Sequence, residues 1–299
     1  MRPARLLVLR GGAVGDFIVT LPALHALRHR WPDSHIEVIG YPHVARIAEW
    51  MGLVNRVRSL DEARIARYFA ENAQLRDEDQ IYFSSFDIVI SYLHDPDEVF
   101  SENIKRFGVE ILINASPMVR DRHAVDHMLQ PLESLAIYPG ERPQAPMLPE
   151  HLRQRAEHPW VALHPGSGGK KKCWPVERFV ELARRLAAEK NLVPVFITGD
   201  VERELIPDLD KQLHGFERLH QLPIPELAGR LSGASAFIGN DAGITHLAAA
   251  LDIPTLALFG PTDPTLWGPR GRRVSIVTAP GGKLDDVSVE TVWTEFQNM

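Results

Sequence analysis

Cysteine is almost missing from this chain. Cys173 stands alone among 299 residues, which excludes an intrachain disulfide and any zinc site built on paired thiolates. Long hydrophobic runs are missing as well. The basic start at Met1–Arg5 followed by Leu6-Leu7-Val8-Leu9 has the order of a signal peptide, but the apolar run is short and gives way to Arg10 and a glycine turn. No other run approaches the ~18 residues that a membrane span requires. These absences predict a cytoplasmic protein, at most peripheral at the inner face of the cytoplasmic membrane. An excess of positive charge is also lacking, since the net charge is −6, with about −5 from residues 1–150 and −1 from the rest. Neither half has the electrostatics of a nucleic-acid surface.

What is present is an alternation of short apolar runs with helical patterns, the sequence form of a parallel sheet wrapped by helices. In the first half, Leu6–Arg10, Ile36–Gly40, Asp87–Ser91 and Val109–Ile113 read as strands. Helices are expected near Asp16–Arg30, Ala63–Gln74, Asp97–Arg106 and His123–Ala136. The segment Tyr138–Pro149 holds four prolines, which lack amide donors, and reads as a linker. Beyond it, strands are expected at Trp160–His164, Leu192–Thr198, Ala236–Gly239 and Thr255–Phe259, with helices near Val176–Glu189, Leu227–Leu231 and Gly243–Leu251. The last segment places Val289, Val292, Trp293 and Phe296 at helical spacing, as a closing helix with one apolar face. The expected fold is therefore α/β, with two doubly wound Rossmann-like domains facing across a cleft. Its parts are an N-terminal domain over 1–140, a linker over 141–157, a second domain over 158–284 and a closing helix over 285–299.

Three segments carry candidate chemistry, because α/β sheets bind ligands beyond the carboxyl ends of their strands. The first, Arg10-Gly11-Gly12-Ala13-Val14-Gly15-Asp16, lets the backbone approach a ligand and puts Asp16 at a helix start. There it is either a cap or a base that accepts a proton from a sugar hydroxyl. The second, His164-Pro165-Gly166-Ser167-Gly168-Gly169-Lys170-Lys171-Lys172-Cys173-Trp174-Pro175, is either a solvated turn or a loop that brings amides and positive charge to an oxyanion. The third, Gly239-Asn240-Asp241-Ala242-Gly243-Ile244-Thr245-His246, runs from strand to helix, and its free amides and helix dipole suit a phosphate or diphosphate. An ordinary strand-to-helix turn with Asp241 near the cap is its other reading.

The glycines of the first segment do not have the dinucleotide-binding spacing, and the second segment lacks the Gly-Lys-Ser/Thr of a Walker A loop. Asp95-Pro96-Asp97 has the spacing of a metal-binding Asp-x-Asp but reads as a helix cap, and His123 and His127 lack the Glu of a His-Glu-x-x-His site. No metal and no cofactor are expected. Arg56, Arg58, Arg64 and Arg67 fall within twelve positions and read as a solvated helix face.

Together these three segments, in this order, resemble glycosyltransferase family 9, the heptosyltransferases of lipopolysaccharide core synthesis. The match rests on Gly15-Asp16, on Thr20-Leu21-Pro22-Ala23-Leu24, on Lys172 before Trp174-Pro175, and on Asp241-Ala242-Gly243 with the following strand Thr255–Phe259. The resemblance implies a two-domain GT-B arrangement and metal-independent, inverting transfer of a sugar from a nucleotide diphosphate sugar, ADP-heptose, to an anionic saccharide or lipid-linked saccharide of the lipopolysaccharide inner core. It places the catalytic base on Asp16. It puts the donor diphosphate near Ser167, Gly168, Lys172, Ala242, Gly243, Thr245 and His246, with Asp241 toward the sugar or ribose. Arg56, Arg64, Lys105 and Arg120 are candidate contacts for the acceptor. Where family members carry an acidic residue before a Leu-Pro step this chain has His220, which leaves nucleotide identity open. Gly11, Gly12 and Ala13 replace small polar residues, which weakens any hydroxyl contact expected from that turn. The chain is also short for the family, with the missing length expected in acceptor-side loops of the first domain, so the acceptor is less fixed than the donor. A nucleotide-sugar epimerase and a non-catalytic nucleotide diphosphate binder are the alternatives.

Overall fold

The structure, a computed structural model, describes residues 3–299 except 62, 72, 75, 139–147 and 207–208, and the side chains of 63, 64, 200, 203 and 205 are also outside what is described. Most of the expected Tyr138–Pro149 linker thus lies outside the described residues. The chain divides into two compact units, Met1–Gln144 and Ala145–Met299.

The first unit is built on five parallel strands, β1 (Arg5–Arg10), β2 (His35–Gly40), β3 (Arg56–Ser59), β4 (Ile88–Ser91) and β5 (Ile111–Asn114), in the order β3-β2-β1-β4-β5. β1 and β4 carry near-continuous Val/Ile/Leu runs because helices cover both their faces, while β2 buries Glu37 among its apolar residues. One face packs on an aromatic cluster in which Tyr68 and Phe107 meet edge to face and Phe83 and Phe107 stack at a centroid distance of 5.2 Å. The expected helix Asp16–Arg30 is two helices, Val14–Ile18 and Leu21–Arg30. Pro22 has no amide to donate and sits in the first turn of the second helix, so the chain restarts at Thr20.

The second unit carries six parallel strands, β6 (Trp160–His164), β7 (Val193–Thr198), β8 (Glu217–His220), β9 (Ala236–Asn240), β10 (Thr255–Phe259) and β11 (Val274–Thr278), in the order β11-β10-β9-β6-β7-β8. Its core joins Leu163, Phe179, Leu186, Phe196 and Leu258 to Val292 and Trp293 of the terminal helix Val289–Gln297. The guanidinium of Arg185 lies 4.1 Å from the Trp293 ring centroid and bonds Glu290 at 2.6 Å, so the terminal helix is fastened on its outer side as well.

Strands β3, β8 and β11 lie outside the sequence reading, and all three are sheet edges. The polar sequences of β3 and β8, RVRS and ERLH, need no continuous apolar run because one flank has no neighbouring strand, while β11, VSIVT, mixes apolar and hydroxyl residues. The helix expected over Ala63–Gln74 is shorter, a single turn at Ala63–Ala66 followed by a 3₁₀ turn at Arg67–Phe69. The arginine cluster is not a helix face. Arg56 and Arg58 lie on β3, where Arg58 Nε meets the buried Glu37 carboxylate at 2.5 Å and its guanidinium lies over Tyr82, whose hydroxyl also donates to Glu37. Among the described residues no helix is long and apolar enough to cross a membrane.

Candidate functional site

In each sheet the strand order reverses once, between β1 and β4 in the first unit and between β6 and β9 in the second. A crevice opens at such a switch point beyond the carboxyl ends of the strands. The first candidate segment follows β1, and the second and third follow β6 and β9.

At the end of β1, Arg10 turns inward and is only 3% exposed. Burial pulls its pKa down, and Asp16 and Tyr92 oppose that pull. Its guanidinium donates to the Asp16 carbonyl from Nη2 at 2.9 Å and from Nε to Thr20 Oγ1 at 3.1 Å, and it sits 3.6 Å from the Asp16 carboxylate. Thr20 Oγ1 donates in turn to the Asp16 carbonyl at 2.9 Å. The other side of the carboxylate accepts from the Ala13 amide at 2.9 Å, so Asp16 closes the first turn of its own helix. About a third of its side chain stays exposed. Gly12 is the position that permits this turn, since its φ is +97° and a Cβ there would lie 2.7 Å from that of Asp16.

In the second unit the center is Asn240, the last residue of β9 and fully buried. Its Nδ2 donates to the Pro165 carbonyl at 2.8 Å, and its Oδ1 accepts from the Trp174 amide at 3.0 Å. One amide side chain therefore holds both ends of the glycine and lysine loop that follows β6. Within that loop Ser167 Oγ donates to the Asp241 carbonyl at 2.5 Å, and Lys172 Nζ pairs with Asp241 Oδ2 at 2.7 Å. Lys172 is about a third exposed and the Asp241 carboxylate is buried, so the pair shields the anion from one side.

Helix Gly243–Ala250 begins here with the extended Ala242 at its cap and no side-chain capping bond. The amides of Gly243 and Ile244, in the first turn, have no carbonyl of their own helix to bond. Residues 242–244 are half-buried. Thr245 donates from Oγ1 to the Asn240 carbonyl, which makes it part of the scaffold, and His246 is buried. Gly168 is exposed at the loop tip.

Ser167, Lys172, Asp241, Ala242 and Gly243 are thus gathered at one switch point, and Asp16 stands at the other. The four acceptor candidates are not gathered. Arg56 begins β3 at one edge of the first sheet, whereas Lys105 lies in helix Val99–Arg106 next to β5 at the other and pairs with Glu102 at 3.3 Å. Arg120 is exposed in the loop after β5, and the side chain of Arg64 lies outside the described residues. Asp95 accepts from the amides of Phe100 and Ser101 at 3.0 and 2.9 Å and so caps the Val99–Arg106 helix. His127 Nε2 lies 2.7 Å from the Ser116 carbonyl.

Three organising residues escaped the sequence reading. Arg10 and Asn240 each end a strand immediately before a candidate turn, which is a signal of sorts. Glu202 carries none. It lies in helix Asp200–Leu205 after β7, its Oε1 is 3.5 Å from Nε2 of the buried His164, and its Oε2 accepts from the Gly199 amide at 2.6 Å. Burial pushes its pKa up, but the His164 contact and the Gly199 amide outweigh burial and leave it below the usual glutamate value.

Residues 115–295 match the family model described as glycosyltransferase family 9 (heptosyltransferase). Lipopolysaccharide heptosyltransferase 1 of Pseudomonas aeruginosa is 28% identical over 302 residues, covering 90% of this chain and 82% of that protein. A family 9 glycosyltransferase structure from Veillonella parvula superposes with a TM-score of 0.80 at 19% identity, over 100% of this chain and 97% of the other. The E. coli heptosyltransferase WaaC with ADP does so at 0.75 and 21% identity, over 98% and 99% of the two chains. The chain belongs to glycosyltransferase family 9, the heptosyltransferases, and is a glycosyltransferase with two Rossmann-like units of the GT-B fold.

Proposed function

We propose that this enzyme transfers heptose from ADP-heptose to an anionic inner-core saccharide of lipopolysaccharide, with inversion and without a metal ion. The observation that carries the reading is the gathering of Ser167, Lys172 and Asp241 at the uncapped start of helix Gly243–Ala250. The E. coli relative with ADP and the heptosyltransferase relatives support the nucleotide and the sugar.

In this reading the amides of Gly243 and Ile244 and the positive end of the helix dipole receive the diphosphate. Asp241 would repel that diphosphate if left alone. Lys172 neutralises it and lends its remaining donors to the phosphates. Asp16 accepts the proton of the acceptor hydroxyl as that oxygen bonds to the anomeric carbon and the bond to the ADP oxygen breaks. The charge that develops on ADP is met by Lys172 and the helix start, in place of a divalent ion. Among the described residues no group of three or more His, Cys, Asp or Glu could hold a metal. Of the four candidate cations, Arg120 follows the carboxyl end of β5, in the same sheet whose strand β1 leads into the Asp16 turn, and is assigned to the anionic acceptor.

The test is incubation with ADP-heptose and a heptose-free inner-core acceptor in excess EDTA, with ADP release and the anomeric configuration of the product as readouts. Acceptor-dependent ADP release with inverted configuration is expected. Isomerised donor formed without acceptor would turn the reading into an epimerase, and ADP binding without turnover into a binding protein.

A further inference from the structure

The Gly166–Ser167 turn rests on a buried carboxylate that plays no part in the proposed chemistry. A Cβ built on Gly166 would fall 1.9 Å from Glu202 Oε1 and 2.4 Å from its Cγ. No side chain fits between the loop and Glu202. Glu202 itself is only 7% exposed and has little freedom, since one oxygen takes the Gly199 amide and the other faces His164, which immediately precedes the loop. On its other side the same stretch of backbone is held by Asn240, whose Nδ2 reaches the carbonyls of both Pro165 and Gly166 at 2.8 and 3.3 Å. The loop is therefore clamped between a buried amide from β9 and a buried carboxylate from the helix after β7. The next residue, Ser167, bonds to Asp241. Any shift of Gly166 is thus passed directly to the groups assigned to the diphosphate.

We propose that Glu202 is a positioning residue for the nucleotide sugar, bracing Gly166 and Ser167 from beneath so that the loop is preformed around the diphosphate. The proposal rests on the assignment of this loop to the donor. Binding to a preformed loop avoids the cost of ordering it, so loss of the brace should appear in donor affinity and not in the chemical step.

The test is a double-mutant cycle read by donor KM, kcat and ADP affinity, with a thermal melt on each variant. Glu202→Ala is expected to raise donor KM and the ADP Kd about tenfold while kcat changes less than about threefold. Gly166→Ala should give a similar defect, because its new Cβ collides with the carboxylate. In the double variant the collision partner is gone, so its defect should equal that of Glu202→Ala alone, with no further loss. Glu202→Asp, which keeps the charge but withdraws the oxygens, should fall between wild type and Glu202→Ala and covers the case in which Glu202→Ala does not fold. Additive losses in the cycle, or a fall in kcat at unchanged KM, would overturn the proposal. Lys172→Ala separates the two levels. If it weakens ADP while Glu202→Ala, or Glu202→Asp in its place, does not, the bracing role is wrong; if it leaves ADP affinity unchanged, the donor assignment itself fails and the bracing role with it.

Discussion

The two switch points solve one problem with opposite means. Around Asp16 everything is local, since Arg10, Ala13 and Thr20 all lie within ten positions of one another and all bond to Asp16. Around Asp241 everything is distant, and the bonds from Ser167, Lys172 and Trp174 to the end of β9 span 66 to 74 positions. The local arrangement leaves a carboxylate partly open to solvent, as a group that exchanges protons needs. The distant one builds a rigid cradle from separate elements, as a group that binds and releases a charged ligand needs.

Removing the exposed carboxylate should break the first site without disturbing the second. Asp16→Ala is expected to lower turnover by about two to four orders of magnitude, the usual contribution of a general base, with ADP affinity unchanged in calorimetry. Near-wild-type turnover in a regime limited by chemistry would take Asp16 out of the mechanism. The converse break is Asn240→Ala. It strands the Trp174 amide and the Pro165 carbonyl in a dry interior and should cost about 2–4 kcal/mol of stability in urea unfolding, together with ADP binding. A variant as stable as wild type would mean that the cradle does not depend on its amide.

Lys172→Ala sharpens the comparison within the donor site. Loss of a charged donor beside the phosphates should weaken ADP by about 1.5–3 kcal/mol and adenosine far less. Equal losses for the two ligands would move Lys172 away from the diphosphate. The smallest effect concerns pH. Because the folded state holds Glu202 below its ordinary pKa of 4.5, its stabilisation is complete above that value and is lost as pH falls through the lower folded value. The stability gap between wild type and Glu202→Gln should therefore be constant near neutrality and narrow in acid. A gap that widens on acidification would reverse the sign assigned to Glu202.

The same contrast explains what could be read from the sequence. Asp16 with its turn and Asp241 with its helix were legible because strand, glycine turn and helix follow one another directly in the chain. The α/β class was legible from the buried central strands for the same reason. The pairing of Lys172 with Asp241, the grip of Asn240 on the loop and the brace from Glu202 were not, because each joins segments that only the folded sheet brings together. Edge strands β3 and β8 were missed because half-covered strands tolerate polar residues, as the RVRS of β3 shows by placing Arg58 on buried Glu37, and β11 because Ser275 interrupts its short apolar run. The break at Pro22 was visible as a residue but was absorbed into one long amphipathic pattern.

Trp174 adds a consequence in time. Its backbone amide is taken by Asn240, and its indole Nε1 donates to the carbonyl of Val287 at 2.9 Å, where Arg178 Nη1 also donates at 2.6 Å. During synthesis the loop at 166–174 is made early, yet its acceptor at Val287 emerges 113 residues after Trp174. Domains fold as units, N-terminal first. The turn holding Asp16 can therefore set while the ribosome is still working, whereas the nucleotide cradle must wait for the segment that leads into the terminal helix, so a half-made chain carries its base before it can hold its donor.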